Sequence, residues 1–416
     1  MVRLRGFQKL TSVEQALQIL FKSVEITRAR MVSLPLQCSS NRVLAEDVIA
    51  NEDLPKFDRS AVDGYAVRAE DTLGSTQFKP KTLKIIRKGE VAEGYAKQVW
   101  TGQAIPKGAD AVVMLEGVKQ IDNNLEVWAA IVPHENVSRK GEDIKKGEIA
   151  LRSGLRLRSH HLGLLAALGR SEIMVFERPK VAVLATGNEI IDVGCKPKAN
   201  QIFDVNRLVL LASCEELGVE PLDLGIAKDD LEEIIAGLRR GLNCSDAVIT
   251  TGGSSVGFSD LVPDAVNKIG KQGVVVHGVA LRPAMPTALA VVDGKPVLIL
   301  SGNPVAAIVG FEMFARPLIS KMLGLRSEEK RPVIRATMTK RVTTSLGRLN
   351  FVRVKVWQIR DEYFAKPVSS RGSGLISTMT CANGFVLVPE NREGIVEDEV
   401  VSVSLFDNVE AKKNDV

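Results

Sequence analysis

The sequence predicts a multidomain protein of the class α/β plus β. The chain has 416 residues, which is too long for one ordinary hydrophobic core. Residues 179–327 alternate apolar strands with amphipathic helices, which is typical of a three-layer α/β domain. Residues 51–139 and 328–410 contain short strand-like runs between Gly, Pro and Asn-Gly turns. These two segments predict a small β domain and a C-terminal β-barrel.

Residues 1–50 and 140–178 are predicted to form one discontinuous linker domain. The segment "TSVEQALQILFKSVEITRAR" has apolar residues at helical spacing, with a Thr-Ser pair as the cap. The segment "LRSHHLGLLAALGR" predicts a second short helix that ends at Gly169. We expect the second helix to pack on the first, which would bring the two parts of this domain together.

The α/β segment shows a repeated order of strand, loop and helix. The runs "KVAVLAT", "EPLDLGIA" and "DAVITTGG" are each followed by a helical pattern, and "TALAVVDG" and "PVLILSG" continue the set of strands. This alternation predicts parallel strands with helices on both faces. Ligands of such sheets bind at the carboxyl ends of the strands, so functional residues are expected there.

A glycine-rich loop follows one predicted central strand, in "VITTGGSSVGFSD". Gly252 and Gly253 allow backbone N–H groups to approach an anion closely, and the hydroxyls of Ser254 and Ser255 add donors. Such a loop ahead of a helix can cradle phosphate oxygens. The alternative is an ordinary strand-to-helix turn in which Asp260 caps the next helix.

Carboxylates follow three of the predicted strands. Glu189 follows the first strand, Asp229 and Asp230 follow the second, and Asp260 lies beyond the glycine-rich loop. Clustered carboxylate oxygens beside a phosphate cradle suit Mg²⁺. The alternative for Asp229 and Asp230 is that each only caps the following helix.

Three further stretches contain candidate functional residues. In "LSGNPVAA", Asn303 suits a helix N-cap and Pro304 suits the first helical position. "DRSAVDGYAV" places Asp63 before a glycine and a tyrosine, and "SRKGEDIKKGE" places Asp143 in a charged loop. An ordinary β-turn and a solvated charged loop remain the alternatives for the last two stretches.

The chain closely resembles one family. The segments "SAVDGYA", "TGQAIPKGADAVV", "KGEDI", "TGNEI", "TGGSSVGFSD", "SGNPVAA" and "RLNFVRV" occur in this order. They resemble the molybdopterin molybdenumtransferases of the MoeA type, a family that includes the E domain of gephyrin. "TGGSSVG" is shared with molybdopterin adenylyltransferases and competence-damage proteins, but the DGYA and GEDI segments are not. The resemblance extends over residues 13–406.

The resemblance implies an architecture and an activity. It implies four domains, of which the α/β domain binds molybdopterin, and an elongated homodimer. The implied reaction inserts molybdate into adenylylated molybdopterin, with Mg²⁺-dependent hydrolysis of the pyrophosphate link and release of AMP. The substrate is therefore expected to be an anionic small molecule.

The resemblance also assigns roles to individual residues. It implies catalytic roles for Glu189, Asp63 and Asp143, and metal binding by Asp229 and Asp260. The implied substrate-binding residues are Gly252, Gly253, Ser254, Ser255, Arg282, Asn303, Pro304, Arg353, Arg371 and Ser373. Because carboxylates repel oxyanions, the arginines of this set are expected to hold the anion.

The chain departs from the family at one expected anion pocket. Where the family carries "KPGKP", this sequence has "RPAMP". Arg282 keeps the first cation, but Ala284 and Met285 replace Gly and Lys, and a second family lysine falls on Gly278. Two expected cations are therefore missing, and the sequence does not distinguish molybdate from tungstate.

Composition excludes several classes of function. The formal net charge is only +5, and no Lys/Arg stripe with interleaved aromatics is present, so we expect no nucleic-acid partner. No apolar run reaches the roughly 20 residues that span a bilayer, and the first twenty residues have no signal-peptide pattern. Five cysteines without a CxxC pair indicate a reducing cytoplasm.

Two rival functions stay open alongside the transferase. A molybdopterin adenylyltransferase shares the glycine-rich loop, but three further domains argue against it. A dimeric scaffold could use the same fold, as the E domain of gephyrin does, but all of the expected acids are present. Other enzymes of cofactor biosynthesis are expected as further partners.

Overall fold

The computed structural model of the chain describes residues 10–25, 30–253, 261–368 and 373–411. It divides into two compact units. One unit holds residues 33–40 and 44–175, and the other holds residues 1–32, 41–43 and 176–416. The units therefore do not coincide with the four predicted domains, whose boundaries remain a prediction.

Helix α1 (Val13–Ser23) begins where the sequence predicts. The Ser12 hydroxyl accepts a hydrogen bond from the Gln15 N–H and caps the helix. The buried side chains of α1 join the hydrophobic core of the α/β sheet, where Val276 and Leu289 are among their neighbours. Helical periodicity reveals the apolar face of α1 but not its partner, and the packing of the second helix on α1 stays a prediction.

The unit of residues 33–40 and 44–175 contains short strands and one helix. In chain order with its flanking strands, the elements are β1 (Met31–Pro35), β2 (Val48–Ile49), β3 (Arg59–Ser60), β4 (Gly64–Val67), β5 (Lys81–Ile86), β6 (Tyr95–Val99), β7 (Ala111–Met114), β8 (Val118–Ile121), β9 (Asn124–Val127), β10 (Val137–Ser138), β11 (Ile149–Leu151), α2 (Ser159–Ala167) and β12 (Glu172–Phe176). Six of these strands form one sheet in the order β7-β4-β6-β5-β9-β8. The predicted small β domain is this sheet.

The α/β domain follows. Its elements are β13 (Lys180–Thr186), β14 (Ile190–Ile191), β15 (Ile202–Phe203), α3 (Asn206–Glu216), β16 (Glu220–Ala227), α4 (Leu231–Cys244), β17 (Ala247–Thr251), α5 (Leu261–Ile269), β18 (Gln272–His277), β19 (Leu281–Arg282), β20 (Ala288–Val292), β21 (Lys295–Leu300), α6 (Pro304–Gly310), a π turn (Phe311–Ala315) and α7 (Arg316–Met322). Helices α3, α6 and α7 share one core with α1, and α4 and α5 share the core on the other face of the sheet. The predicted three-layer arrangement is confirmed.

The central sheet has the order β16-β13-β17-β21-β20-β18 and is mixed. The first four strands are parallel, as predicted. β20 is antiparallel to β21 and to β18, so the expectation of parallel pairing throughout is wrong. Asp293 and Gly294 join β20 to β21 with φ values of 48° and 82°, which is the two-residue hairpin turn that Asp-Gly favours.

The C-terminal domain is a closed barrel. Its elements are β22 (Val333–Met338), β23 (Val342–Thr343), β24 (Leu349–Ile359), β25 (Glu362–Pro367), α8 (Ser377–Thr380), β26 (Gly384–Val388), β27 (Gly394–Ile395), β28 (Val400–Leu405) and β29 (Glu410–Ala411). Strands β24, β25, β22, β28 and β26 pair in sequence, and β26 returns to β24. The predicted β-barrel is confirmed. Within the described residues, no helix is long and apolar enough to cross a membrane.

Candidate active site

The carboxyl ends of β13, β17 and β21 form a tightly packed floor. Gly252 has φ of 92° and donates its N–H to the Leu300 carbonyl at 3.3 Å. A Cβ atom on Gly252 would lie 2.2 Å from the Thr186 carbonyl oxygen, and one on Gly253 would lie 2.7 Å from Val262 Cγ2. Only glycine fits these two positions, and the predicted phosphate cradle stays a prediction. Ser254, Ser255 and Asp260 lie outside the described residues.

Asn206 connects this floor to the start of helix α3, and sequence reasoning missed it. Its Nδ2 donates to Thr251 Oγ1 and to the Gly302 carbonyl, at 2.8 Å each. The Thr251 hydroxyl in turn donates to the Ser301 carbonyl at 3.1 Å. The Asn206 side chain therefore holds the ends of β17 and β21 in register. No sequence motif singled it out, because its partners are distant along the chain.

Glu189 lies at the end of β13, as predicted. Its carboxylate sits above Gly187, where a Cβ atom would come within 2.9 Å of Oε2. The Glu189 carbonyl accepts a hydrogen bond from the Ile202 N–H at 2.8 Å, which anchors the excursion between β14 and β15. The side chain is exposed and can reach a ligand at the strand ends.

The neighbouring acids Asp229 and Asp230 have different surroundings. Asp230 is the N-cap of α4, with Oδ1 accepting from the N–H groups of Glu232 and Glu233 at 3.0 Å. Asp229 instead pairs with Asn188: Asp229 Oδ2 accepts from the Asn188 N–H at 3.1 Å, and Asn188 Oδ1 accepts from the Asp229 N–H at 3.2 Å. The capping alternative therefore describes Asp230 and not Asp229.

The donor set at these strand ends consists of carboxylate oxygens. Within the described part of the chain, no group of three or more His, Cys, Asp or Glu side chains converges to hold a metal. Mg²⁺ commonly takes only one or two carboxylates and completes its coordination with water and substrate phosphates. Asp229 therefore fits a Mg²⁺ ion that is held jointly with a phosphate-bearing substrate.

Asp63 lies in the other compact unit and is held by Thr101, a residue that sequence reasoning missed. Its Oδ1 accepts from the Thr101 N–H at 2.7 Å and from the Thr101 hydroxyl at 2.8 Å. These hydrogen bonds lower the pKa of Asp63, the backbone bond most of all. The next residue must be glycine, because a Cβ atom at residue 64 would lie 2.0 Å from the Val113 carbonyl oxygen.

Asp143 is exposed on the GEDI loop of the same unit. The Asp143 N–H donates to the Leu54 carbonyl at 3.1 Å, and the Leu54 N–H donates to the Ile144 carbonyl at 2.7 Å. Its neighbour Glu142 is bound by Ser138 and by the Arg139 N–H. Glu142 therefore shapes the loop and Asp143 faces solvent.

Two of the predicted anion-binding arginines donate hydrogen bonds to other residues of this chain. Arg353 is only 4% exposed and donates from Nη1 to Thr378 Oγ1 at 2.7 Å. Burial lowers the pKa of its guanidinium. Arg282 is exposed and donates to the Ser345 hydroxyl. Arg371 lies outside the described residues.

Helix α6 begins at Pro304, with Asn303 in the N-cap position. The Asn303 side chain makes no capping hydrogen bond, so the expected cap is wrong in that respect. Instead, the Val305 N–H donates to the Ser373 carbonyl at 3.0 Å. Ser373 therefore contacts the start of α6 through its backbone.

Residues 282–286, which replace the family's "KPGKP", form a hydrogen-bonded turn. Ala284 has φ of 90° although it carries a side chain, and it is 3% exposed. The Met285 carbonyl accepts from the Val279 N–H at 2.9 Å, and the Gly278 N–H donates to the Thr287 carbonyl at 3.1 Å. Positive φ at residue 284 explains why glycine suits that position better than alanine.

Comparison with known proteins gives the class of protein first. Residues 11–169 match the MoeA N-terminal region (domain I and II), residues 182–321 match the probable molybdopterin binding domain, and residues 335–406 match the MoeA C-terminal region (domain IV). The fold and the strand-end site thus belong to a multidomain protein of molybdopterin metabolism.

The similar proteins narrow the assignment. A molybdopterin molybdenumtransferase of Staphylococcus aureus is 33% identical over 390 residues, 92% of this chain and 93% of its own. A putative molybdopterin biosynthesis protein of Methanocaldococcus jannaschii is 36% identical over 374 residues, 88% of this chain and 90% of its own. The crystal structure of the molybdopterin biosynthesis MoeA protein from Pyrococcus horikoshii OT3 has a TM-score of 0.82 at 31% identity, covering 96% of this chain and all of the other. The chain belongs to the MoeA family of molybdopterin molybdenumtransferases and is a transferase of molybdenum cofactor biosynthesis.

Proposed function

We propose that this enzyme inserts molybdate into adenylylated molybdopterin and releases AMP in a Mg²⁺-dependent reaction. The observation that carries the proposal is the pair of glycines at the end of β17, with Asp229 at the end of β16 on the other side of β13 in the same sheet. A Cβ atom at residue 252 or 253 would collide with Thr186 or Val262, so both positions require glycine, and a glycine-rich loop ahead of a helix can present backbone N–H groups to phosphate oxygens.

The acidic residues of this chain have separate proposed roles in metal binding and catalysis. Bound Mg²⁺ would neutralise charge on the pyrophosphate, and Asp229 with Asp260 would hold it. Glu189, exposed beside the strand ends, is suited to accept a proton from an attacking water. Asp63 and Asp143 act as further catalytic acids, as the family resemblance implies.

Oxyanion binding is assigned to the arginines and to neutral donors. Arg282 keeps N–H donors besides the one that binds Ser345, and Arg371, Ser373 and Asn303 complete the proposed set of donors. Pro304 has no N–H and would contribute to this site only by fixing the start of α6. Arg353 is buried and contacts Thr378, so we assign it to positioning the segment around α8. Tungstate competes with molybdate in this proposal, because both are tetrahedral oxyanions of the same charge.

The proposed enzyme is a cytoplasmic homodimer that exchanges substrate and product with other enzymes of cofactor biosynthesis. Its five cysteines are all unpaired, and only Cys214 is buried, which suits a reducing compartment. Dimerisation rests on the family resemblance and is tested by analytical ultracentrifugation of the purified chain.

Product analysis tests the proposed reaction. The protein is incubated with adenylylated molybdopterin, Mg²⁺ and molybdate, and AMP release is followed together with activation of an apo-molybdoenzyme. We expect both to require molybdate and Mg²⁺. Formation of adenylylated molybdopterin from ATP and molybdopterin would instead indicate the adenylyltransferase, and a dimer without either activity would indicate a scaffold.

A further inference from the structure

The segment that carries Glu189 leaves the central sheet and buries little surface. Strands β14 and β15 pair with each other as a parallel two-stranded sheet. Every residue from 190 to 203 is exposed or half-buried. We call residues 189–204 the Glu189 ribbon. Because a segment with few buried apolar contacts opens easily, the position of this ribbon depends on its polar contacts.

Two backbone hydrogen bonds connect Glu189 to the far end of the ribbon. The Glu189 carbonyl accepts from the Ile202 N–H at 2.8 Å, and the Ile191 carbonyl accepts from the Asp204 N–H at 2.9 Å. A shift of β15 or of Asp204 would therefore move the backbone of Glu189. The contacts that hold Asp204 thus also help to hold the Glu189 carboxylate.

The side chain of Arg207, in the first turn of α3, binds three carboxylates. Nε donates to Asp204 Oδ2 at 2.8 Å, Nη1 donates to both oxygens of Asp223 at 2.6 Å, and Nη2 donates to Asp192 Oδ1. The Arg207 N–H adds a bond to Asp204 Oδ1 at 3.1 Å. Asp192 directly follows β14, Asp204 directly follows β15 and Asp223 lies within β16. One guanidinium therefore joins both strands of the Glu189 ribbon to the central sheet.

The contact on β16 is itself fixed. Asp223 pairs with Val183 in the register of β16 and β13. The register shifts after this pair, where Gly225 has φ of 77° and donates its N–H to Asp223 Oδ1 at 2.8 Å. Such a bulge re-aims the side chains of a strand. Arg207 thus ties the ribbon to a defined point on the strand that ends before Asp229.

The exposed contacts of Arg207 serve geometry more than stability. The side chains of Asp192 and Asp223 are 58% and 49% exposed, whereas that of Arg207 is 15% exposed. Ion pairs with such exposed carboxylates usually add little to the stability of a fold. The N–H groups of a guanidinium form a rigid planar fork, however, so they fix the directions in which the three carboxylates lie.

We propose that Arg207 is a positioning residue of the transferase that acts through Glu189, an inference that rests on the proposed function. Its three carboxylate partners hold the Glu189 ribbon so that the Glu189 carboxylate stays above Gly187, at the end of β13. Displacement of a catalytic group by about 1 Å can cost on the order of a hundredfold in rate. Arg207 should therefore influence the chemical step and not the affinity for substrate.

The kinetics of AMP release from adenylylated molybdopterin test this role. We expect Arg207→Lys to lower kcat about tenfold and to change KM less than about twofold, because one ammonium cannot replace a fork that binds three carboxylates. Asp192→Ala removes only the contact at the end of β14, at an exposed site that folding tolerates. It should lower kcat about threefold, also with little change in KM.

Combination with Glu189→Gln separates positioning from any other effect of Arg207. If Arg207 acts through the Glu189 carboxylate, Arg207→Lys should slow the Glu189→Gln enzyme by less than about twofold, because no carboxylate remains to be positioned. An undiminished effect of Arg207→Lys in this background would overturn the proposal.

Amide hydrogen exchange gives a second readout that needs no substrate. The Ile202 N–H, which binds the Glu189 carbonyl, should exchange about tenfold faster in Arg207→Lys and in Asp192→Ala, while the amides of β13 keep their protection. Exchange of Ile202 at the wild-type rate in both variants would show that Arg207 does not hold the ribbon and would overturn the proposal.

Glu220→Gln is the matched control. Glu220 pairs with Lys180 at 3.3 Å, and this half-exposed ion pair joins β16 to β13 at their amino ends, away from the ribbon. The control should keep wild-type AMP release and wild-type exchange at Ile202. Equal losses in Glu220→Gln and Asp192→Ala would reject the positioning role.

The kinetic experiment also separates this inference from the proposed function. Absence of AMP release from the wild-type protein would reject the proposed function and this inference with it. Normal release by wild type, with kcat unchanged in both Arg207→Lys and Asp192→Ala, would leave the transferase standing and reject only the role of Arg207.

Discussion

At the scale of single residues, neighbours of the same chemical type have different surroundings. Asp229 and Asp230 are adjacent carboxylates, yet one caps α4 and the other pairs with Asn188. Sequence alone left both as candidate caps, because an N-cap is defined by backbone geometry as well as by residue type. Thr101 and Asn206 were missed for a related reason, since their roles arise from partners 38 and 45 residues away.

Thr101 tunes Asp63, and this can be measured. Its hydroxyl is one of two donors that lower the pKa of Asp63, so Thr101→Val should raise that pKa while the backbone bond persists. The acid limb of the pH profile for AMP release should then move to higher pH. Any stability that the ionised carboxylate contributes is present above its unfolded pKa and is lost as the pH falls through the lower, folded value.

Thr101→Ser is the control, because it keeps the hydroxyl. NMR titration of the Asp63 carboxyl carbon gives the pKa directly in all three proteins. An Asp63 pKa that is the same in Thr101→Val and in wild type would show that the hydroxyl does not act on this carboxylate.

At the scale of elements, helices and parallel strands were predicted well from periodicity. The hairpin of β20 and β21 was misread, because an apolar run shows burial and not strand direction. The long helix predicted from "NPVAAIVGFEMFARPLISKMLG" is interrupted by a π turn at Phe311–Ala315. Pro317 lies just beyond this turn and has no N–H to donate to the Met313 carbonyl, so the run contains a local cause for the interruption.

Glu312, within this π turn, anchors the segment that leads into the barrel. Its carboxylate accepts from Arg331 Nε at 2.8 Å and Nη2 at 3.0 Å, and from Arg316 Nε at 2.9 Å. Burial opposes its ionisation, but the bonds from Arg331 and the charge of Arg316 outweigh burial and lower the pKa of Glu312. The network thus needs an ionised carboxylate.

Glu312→Gln should lower the free energy of unfolding at pH 7 by about 3 kcal/mol, because two largely buried guanidinium groups lose their counter-charge. The difference from wild type should be full above pH 4.5, the ordinary pKa, and should shrink as the pH falls through the lower, folded pKa. Urea titrations across this pH range measure the loss of unfolding free energy and its dependence on pH.

Glu410→Gln is the control for that substitution. Glu410 pairs with Lys355 at 2.7 Å, but their side chains are 67% and 36% exposed. Loss of this exposed pair should cost less than about 1 kcal/mol. Equal losses for the two substitutions would show that the Glu312 network contributes no more than a surface ion pair.

At the scale of the whole molecule, the order of segments predicted the kinds of domain. The α/β sheet, the small β sheet and the closed barrel lie where their patterns occur in the chain. The partner of α1 was not predictable, because an apolar helix face fits any apolar surface. The strand-end site was predictable in outline, since parallel strands bring their carboxyl ends to one edge of a sheet.

The measurement that tests the central claim most directly compares Asp229→Asn with Asp230→Asn. The central claim is that the strand ends of the α/β domain carry the Mg²⁺-dependent reaction. Asp229→Asn removes a carboxylate that has no capping role, whereas Asn at residue 230 still caps α4. The rate of AMP release from adenylylated molybdopterin is measured against Mg²⁺ concentration for both variants and for wild type.

The account predicts that Asp229→Asn lowers AMP release at limiting Mg²⁺ more than tenfold, with partial recovery at high Mg²⁺. Asp230→Asn should stay within about twofold of wild type, and both variants should unfold at temperatures close to that of wild type. Wild-type AMP release and Mg²⁺ dependence in Asp229→Asn would contradict the account.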